Sequence, residues 1–218
     1  MRVSTPRIVF FGPQGSTSVF SESAASVALN DANSSEAGTL LLQRCHVAFQ
    51  AELKTLGDER DLIFGSNIDL FPAPVDLLSP DPRFTTNPII ESTTICLLQL
   101  LRYISGSEIA KARDEGILSN IHECAGYSSG ILPAVVVATS PTIDTFIINA
   151  VEAYRLAFWI GYRAGYHNPL LTRVAAGGGS SALVVSGTTK QRIVDIVNEL
   201  RGSVCTMEYS PTYMLTQC

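Results

Sequence analysis

Clustered positive charge, metal-ligand spacing and long apolar runs are all missing from this 218-residue chain. Its 15 Lys and Arg, against 20 Asp and Glu, leave a net charge of -5. They are scattered, so the basic patch that phosphate binding needs is absent and nucleic acid is excluded as the main partner. Cys45, Cys96, Cys124, Cys205 and Cys218 form no CxxC pair and no Cys/His set. That pattern points to no metal site and to reduced thiols in a cytosolic compartment, the first four as small buried apolar residues. No apolar run reaches the roughly 18 residues that cross a bilayer, and the stretch after Arg7 is too short for a secretory signal. An intracellular, soluble chain with no membrane partner is expected.

What the chain has in plenty is apolar residue, 46% against 16% charged, so most elements should be buried on more than one side. That favours a layered α/β domain, long enough for one core plus a small appended unit. Ile8-Val9-Phe10-Phe11 reads as a buried first strand breaking at Gly12-Pro13-Gln14-Gly15-Ser16. No GKS or GKT follows, so this is not a phosphate-cradling loop. Apolar spacing of three and four predicts helices over 21–30 and 36–56, split by Asn33-Ser34-Ser35. His46 lies on the second of them and reads as a surface or packing residue.

Between Gly57 and Pro88 the chain is punctuated by Gly65, Pro72, Pro74, Pro80, Pro82 and Pro88; the prolines forbid a long helix or central strand, and the stretch reads as a surface excursion. Asn87 to Ile104 reads as a buried helix with Pro near its first turn. Lys111 to Glu115 reads as a short charged helix. A further helix starts near Thr139-Ser140-Pro141 and runs past Ile160. Gly177-Gly178-Gly179-Ser180-Ser181 is the clearest linker. Leu183 to Gly187 reads as a strand and Lys190 to Leu200 as a helix, while 202–218 shows no clear periodicity.

The central pattern is Gly126-Tyr127-Ser128-Ser129-Gly130. Before it, Leu118 to Ala125 can form a strand; after it, Ile131 to Ala138 can open a buried helix. GxSxG between strand and helix is the form of a nucleophile elbow, where a sharp turn holds one hydroxyl above the sheet edge. Ser128 is that hydroxyl, and the Ser129 N–H at the helix start could stabilise an oxyanion. Five residues alone are equally readable as a Ser/Gly turn between packed elements.

Three stretches, Phe11 to Ser16, Gly126 to Ala134 and Leu183 to Gly187, occur in the order found in acyl-CoA:acyl-carrier-protein transacylases. The chain most resembles the starter-unit acyltransferase domain of fungal non-reducing polyketide synthases, over most of residues 8–200. That resemblance implies a hydrolase-like α/β domain with a parallel-sheet core and a ferredoxin-like small subdomain, here incomplete. It divides the chain into an acyltransferase core over 1–176, a linker and subdomain start over 177–201, and an irregular tail over 202–218. It makes Ser128 the nucleophile and the backbone N–H groups of Gln14 and Ser129 the oxyanion hole. It also implies ping-pong chemistry, in which an acyl group passes from acyl-CoA to Ser128 and then to the phosphopantetheine thiol of an acyl carrier protein. Downstream polyketide synthase domains are the further partners implied; no cofactor is bound by the chain itself.

Two departures bear on activity. Starter-unit domains commonly carry Cys where this chain has Ser128, and a Ser hydroxyl needs a general base. The family's base is a His well downstream of the strand at 183–187, and no His follows His167 here. Tyr166-His167-Asn168-Pro169-Leu170 is similar to the segment holding that His in relatives, but precedes the strand, so His167 is a minority candidate. His122, on the strand itself, is poorly placed to reach over the turn. Removing the base from a Ser nucleophile costs on the order of 10⁶ in kcat, roughly 8 kcal/mol of barrier, so an impaired transferase is expected.

Malonyl-specific relatives hold the substrate carboxylate with an Arg on a later helix. The matching stretch here, Ala157-Phe158-Trp159-Ile160-Gly161, has none, which favours a neutral starter group, with Arg155 and Arg163 nearby. The alternatives are a serine esterase that ends its cycle with water, and an inactive truncated module.

Overall fold

Ile8-Val9-Phe10-Phe11 extends because nothing in it competes with a strand, and Gly12 stops it: strand β1 spans Arg7–Phe11. The computed structural model describes residues 7–12, 20–65, 70–105 and 121–166, and the strand backbones at 182–184, 207–209 and 214–217. The chain divides into two compact units, Met1–Tyr162 and Arg163–Cys218.

In the first unit β1 pairs in parallel with β2 (Ile121–Gly126), Val9 opposite Cys124, Phe10 opposite Ala125 and Phe11 opposite Gly126. Alternation sends Phe11 into the core and leaves Phe10 exposed. Helices form the rest. Ser21 caps α1 (Glu22–Asn33), its hydroxyl accepting from Ala24 N at 3.2 Å. Ser35 does the same for α2 (Glu36–Thr55) through Gly38 N at 3.0 Å. Each cap satisfies an amide that lacks an intrahelical acceptor.

The stretch read as an irregular excursion holds a short helix, α3 (Glu59–Phe64), and two 3₁₀ turns, Pro74–Leu78 and Pro82–Phe84. His46 and Gln50 of α2 anchor this stretch, with His46 Nε2 2.7 Å from the Phe71 carbonyl and Gln50 Nε2 donating to Leu70 at the same distance. His46 is therefore a packing residue, as its setting on an amphipathic helix suggested. Asn87 opens α4 (Pro88–Ser105), where ten of eighteen residues are buried. α5 (Ile131–Thr139) follows the candidate elbow, and α6 (Ile143–Tyr166) is the longest helix described.

The core is a helical one, with Leu41, Phe49, Leu97, Leu100, Phe146 and Phe158 all essentially inaccessible. Phe71, Phe49 and Phe158 meet edge to face at centroid distances of 5.1 and 5.6 Å, tying the excursion, α2 and α6 together. Glu52 of α2 is nearly buried and receives the Trp159 indole N–H at 2.9 Å, with Arg155 Nε 3.0 Å from its other oxygen. Replacing Arg155 by Met leaves that carboxylate short of its countercharge. Because Arg155 is partly solvated, we expect a loss of about 2 kcal/mol, below the 3–5 typical of a fully buried pair. The measurement is the urea midpoint at unchanged m; a loss under about 0.5 kcal/mol would class it with exposed pairs.

The second unit contains β3 (Ala182–Val184), β4 (Met207–Tyr209) and β5 (Met214–Gln217), antiparallel in the order β3-β5-β4. The tail read as irregular thus supplies two strands, too short to show a period by themselves. Two expectations need correcting or limiting. The parallel pairing expected of a hydrolase-like core is present, but among the described residues it is two strands wide and the unit is mostly helical. The helix read at 190–200 and the boundaries at 176 and 201 lie outside the described residues. Among those described, no helix is long and apolar enough to cross a membrane.

Candidate active site at the turn after β2

β2 ends at Gly126, and Tyr127 then donates its backbone N–H to the Phe11 carbonyl at 3.1 Å, stapling the turn to the end of β1. The chain reverses at Ser128, whose φ of +55° is shared in sign only with Phe71 among the non-glycine residues described. A side chain in that region costs about 1–3 kcal/mol and persists only where the surroundings hold it. Here Gly130 N closes a 3₁₀ turn (Ser128–Gly130) onto the Tyr127 carbonyl at 3.0 Å, and α5 continues directly from it.

The two glycines are set by space. A Cβ on Gly126 would stand 2.2 Å from the Gly130 carbonyl oxygen, and one on Gly130 would stand 2.3 Å from that of Phe11 and 2.7 Å from that of Gly12. No side chain fits at either place. The turn therefore lies flat on the end of β1, and Ser128 remains exposed above it. Ser129 is the first residue after it, where helix amides lack an intrahelical acceptor; its own hydroxyl is buried without a partner.

The structure thus brings together Gly126, Ser128, Ser129 and Gly130. Gln14 and His167 lie outside the described residues, as does the side chain of His122. The loop that leads to Gln14 starts at Gly12, whose carbonyl accepts from Gln99 Nε2 at 2.9 Å, so α4 fixes its root. Among the described residues the Ser128 hydroxyl has no hydrogen-bond partner, its carbonyl accepting from Ile131 N, and no group of His, Cys, Asp and Glu could hold a metal ion. Arg155 is engaged by Glu52 and, at 3.5 Å, by Glu152. Of the cysteines, Cys45 and Cys96 are buried and unpaired, and burial pushes the Cys96 thiol up to about 12. Cys124 is only partly buried.

A second feature escaped the sequence reading. A cleft of about 520 Å³ opens beside β1, between α1 and α4, lined among others by Val9, Phe10, Val27, Leu98, Gln99 and Tyr103. Gln99 Oε1 and the Tyr103 hydroxyl are buried and have no partner. Burial, with Cys124 adding to it, holds the Tyr103 phenol well above its ordinary pKa, so it stays a donor. The signal available in the sequence was two hydrogen-bonding side chains four apart in the mostly apolar second half of α4.

Residues 9–212 match the family described as "Starter unit:ACP transacylase in aflatoxin biosynthesis". Similar curated proteins include the orsellinic acid synthase ArmB of Armillaria ostoyae, 40% identical over 164 residues, which is 72% of this chain and 7% of that protein. An orsellinic acid synthase of Beauveria bassiana is 32% identical over 157 residues, 71% of this chain and 7% of that protein. A non-reducing polyketide synthase of Byssochlamys spectabilis is 26% identical over 203 residues, 91% and 9% of the two. The chain spans less than a tenth of the length of these relatives.

Proposed function

Because the chain belongs to the starter unit:ACP transacylase family, we propose that it moves a starter acyl group from acyl-CoA to the phosphopantetheine thiol of an acyl carrier protein, through an ester on Ser128. The observation that carries this reading is the exposed Ser128 held at positive φ between β2 and α5. That conformation is costly, and its use is to present a hydroxyl.

In the first half-reaction Ser128 Oγ adds to the thioester carbonyl, the C–S bond breaks, and CoA leaves as the thiol with the serine proton. In the second the carrier thiol adds to the ester carbonyl, the C–O bond breaks, and Ser128 regains a proton. The Ser129 and Gln14 N–H groups serve the oxyanion in both. The acyl group is neutral, a reading supported by Arg155 being committed to Glu52 and Glu152 rather than left for a carboxylate. His167 is the candidate base, and slow turnover is expected wherever Ser128 is left without one. The chain works in the cytoplasm beside carrier and downstream polyketide synthase domains, and its functional core extends through residue 176.

The test is intact mass after incubation with a short neutral acyl-CoA. An adduct mapped to Ser128 and discharged by a phosphopantetheinylated carrier faster than by water supports transfer. Discharge by water at the same rate would make the chain an esterase, and no adduct under any condition would make it an inactive module.

A further inference from the structure

Strand β1 stops at Phe11, and the residue after it is a glycine, the type with the most backbone freedom to lose. A Cβ on Gly12 would meet nothing within 4 Å, so no neighbour crowds its Cα. Its carbonyl is held by a hydrogen bond instead. Gln99 Nε2 donates to it at 2.9 Å, from a helix 87 residues further along the chain. That amide has a firm base, since Leu97, Leu100 and Leu101 around it on α4 are fully buried. Its orientation follows from its acceptor, because the reverse would set two carbonyl oxygens against each other.

The Gly12 carbonyl matters for what lies on it. A Cβ on Gly130 would stand 2.3 Å from the Phe11 oxygen and 2.7 Å from the Gly12 oxygen, so these two consecutive carbonyls are the floor under the turn that carries Ser128. The turn itself pins the first of them, through the Tyr127 N–H at 3.1 Å. The second is pinned from α4. Among the described residues Gln99 Oε1 has no partner, so the side chain makes its one bond to that oxygen. For stability such an amide is close to neutral, the unpaired buried oxygen offsetting what the bond returns.

We propose that Gln99 is a positioning residue for acyl transfer at Ser128. By holding the Gly12 carbonyl it fixes the floor on which Gly130 rests, and with it the aim of the Ser128 hydroxyl and the Ser129 N–H. The role rests on the reading of Ser128 as the nucleophile. A misplacement of about 1 Å at a reacting group can cost on the order of a hundredfold in rate, so a bond that adds little to folding can still matter to transfer.

The experiment compares the full 218-residue chain with Gln99→Met and Gln99→Asn. Met keeps the reach of the side chain and loses the donor; Asn keeps the amide and falls one methylene short. Formation of the Ser128 adduct is followed over a range of concentrations of a short neutral acyl-CoA. Both variants should lower the limiting rate at least tenfold, roughly the scale of a sub-ångström misplacement, while the concentration giving half that rate changes less than twofold. Gln99→Met should melt within about 3 °C of the parent. The Tyr127 and Gly130 amides, which bond to the Phe11 and Tyr127 carbonyls, should exchange their hydrogens severalfold faster in both variants, and the amides of α2 at the parent's rate.

Equal limiting rates in parent and variants would overturn the proposal. So would a slower rate accompanied by a matching fall in Tm and faster exchange throughout, which is what a purely structural residue gives. Unchanged exchange at Tyr127 and Gly130 would overturn it whatever the rates. A parent that forms no adduct would end the reading of Ser128 as the nucleophile and this role with it, so the parent alone tells the two failures apart.

Discussion

Ser128→Ala abolishes the acyl adduct. In a serine enzyme with its full machinery, losing the nucleophile costs on the order of 10⁶ in kcat. If the chain transfers acyl groups through Ser128, the expected outcome is an adduct falling to the background of non-enzymatic acylation. The informative partner is Ser128→Cys. A thiol is partly ionised near neutral pH without help, so this variant should load faster than the parent if the missing ingredient is a proton acceptor. Because Ser128 is exposed, both substitutions leave packing untouched and thermal unfolding should move by less than a degree or two. An adduct that persists in Ser128→Ala at the parent's rate would remove the elbow from the chemistry.

Gly130→Ala should be the most damaging single methyl in the turn. The added carbon would meet the Phe11 oxygen at 2.3 Å and the Gly12 oxygen at 2.7 Å, and both are backbone atoms that cannot rotate aside. Either the turn lifts from β1 or the strand end shifts, at a cost of about 3 kcal/mol, the upper range for overpacking. For a chain of this size that lowers Tm by roughly 6–12 °C, and the adduct rate should fall with it as Ser128 and the Ser129 amide lose their positions. Gly12→Ala is the control, since a Cβ there meets nothing within 4 Å. Equal stability of the two variants in differential scanning calorimetry would refute the close approach.

Much of this was legible beforehand where the information is local. The serines capping α1 and α2, the proline opening α4 and the first glycine of the elbow, Gly126, each act on neighbours within about five residues, and the residue types announce them. The short helix α3 was hidden because Gly57, Gly65 and the prolines that follow dominate the local signal, while its six residues find support in Phe64 packing on Phe84. β4 and β5 are three and four residues long and exist by pairing with each other and with β3, a non-local contact that no period reveals. The turn at Ser128 could be read from GxSxG, but not that it rests on the carbonyls of Phe11 and Gly12, more than a hundred residues away. The orphaned hydrogen-bonding atoms of Gln99 and Tyr103 depend on what is absent around them, which a linear pattern does not encode.

The contact between Gly130 and the Phe11 carbonyl, together with the Tyr127 amide that binds the same oxygen, makes the Ser128 hydroxyl and the last residues of β1 a single mechanical piece. A force on the strand is felt at Ser128 with no soft joint in between. Anything that stiffens or loosens the strand end therefore retunes how steadily that hydroxyl is aimed.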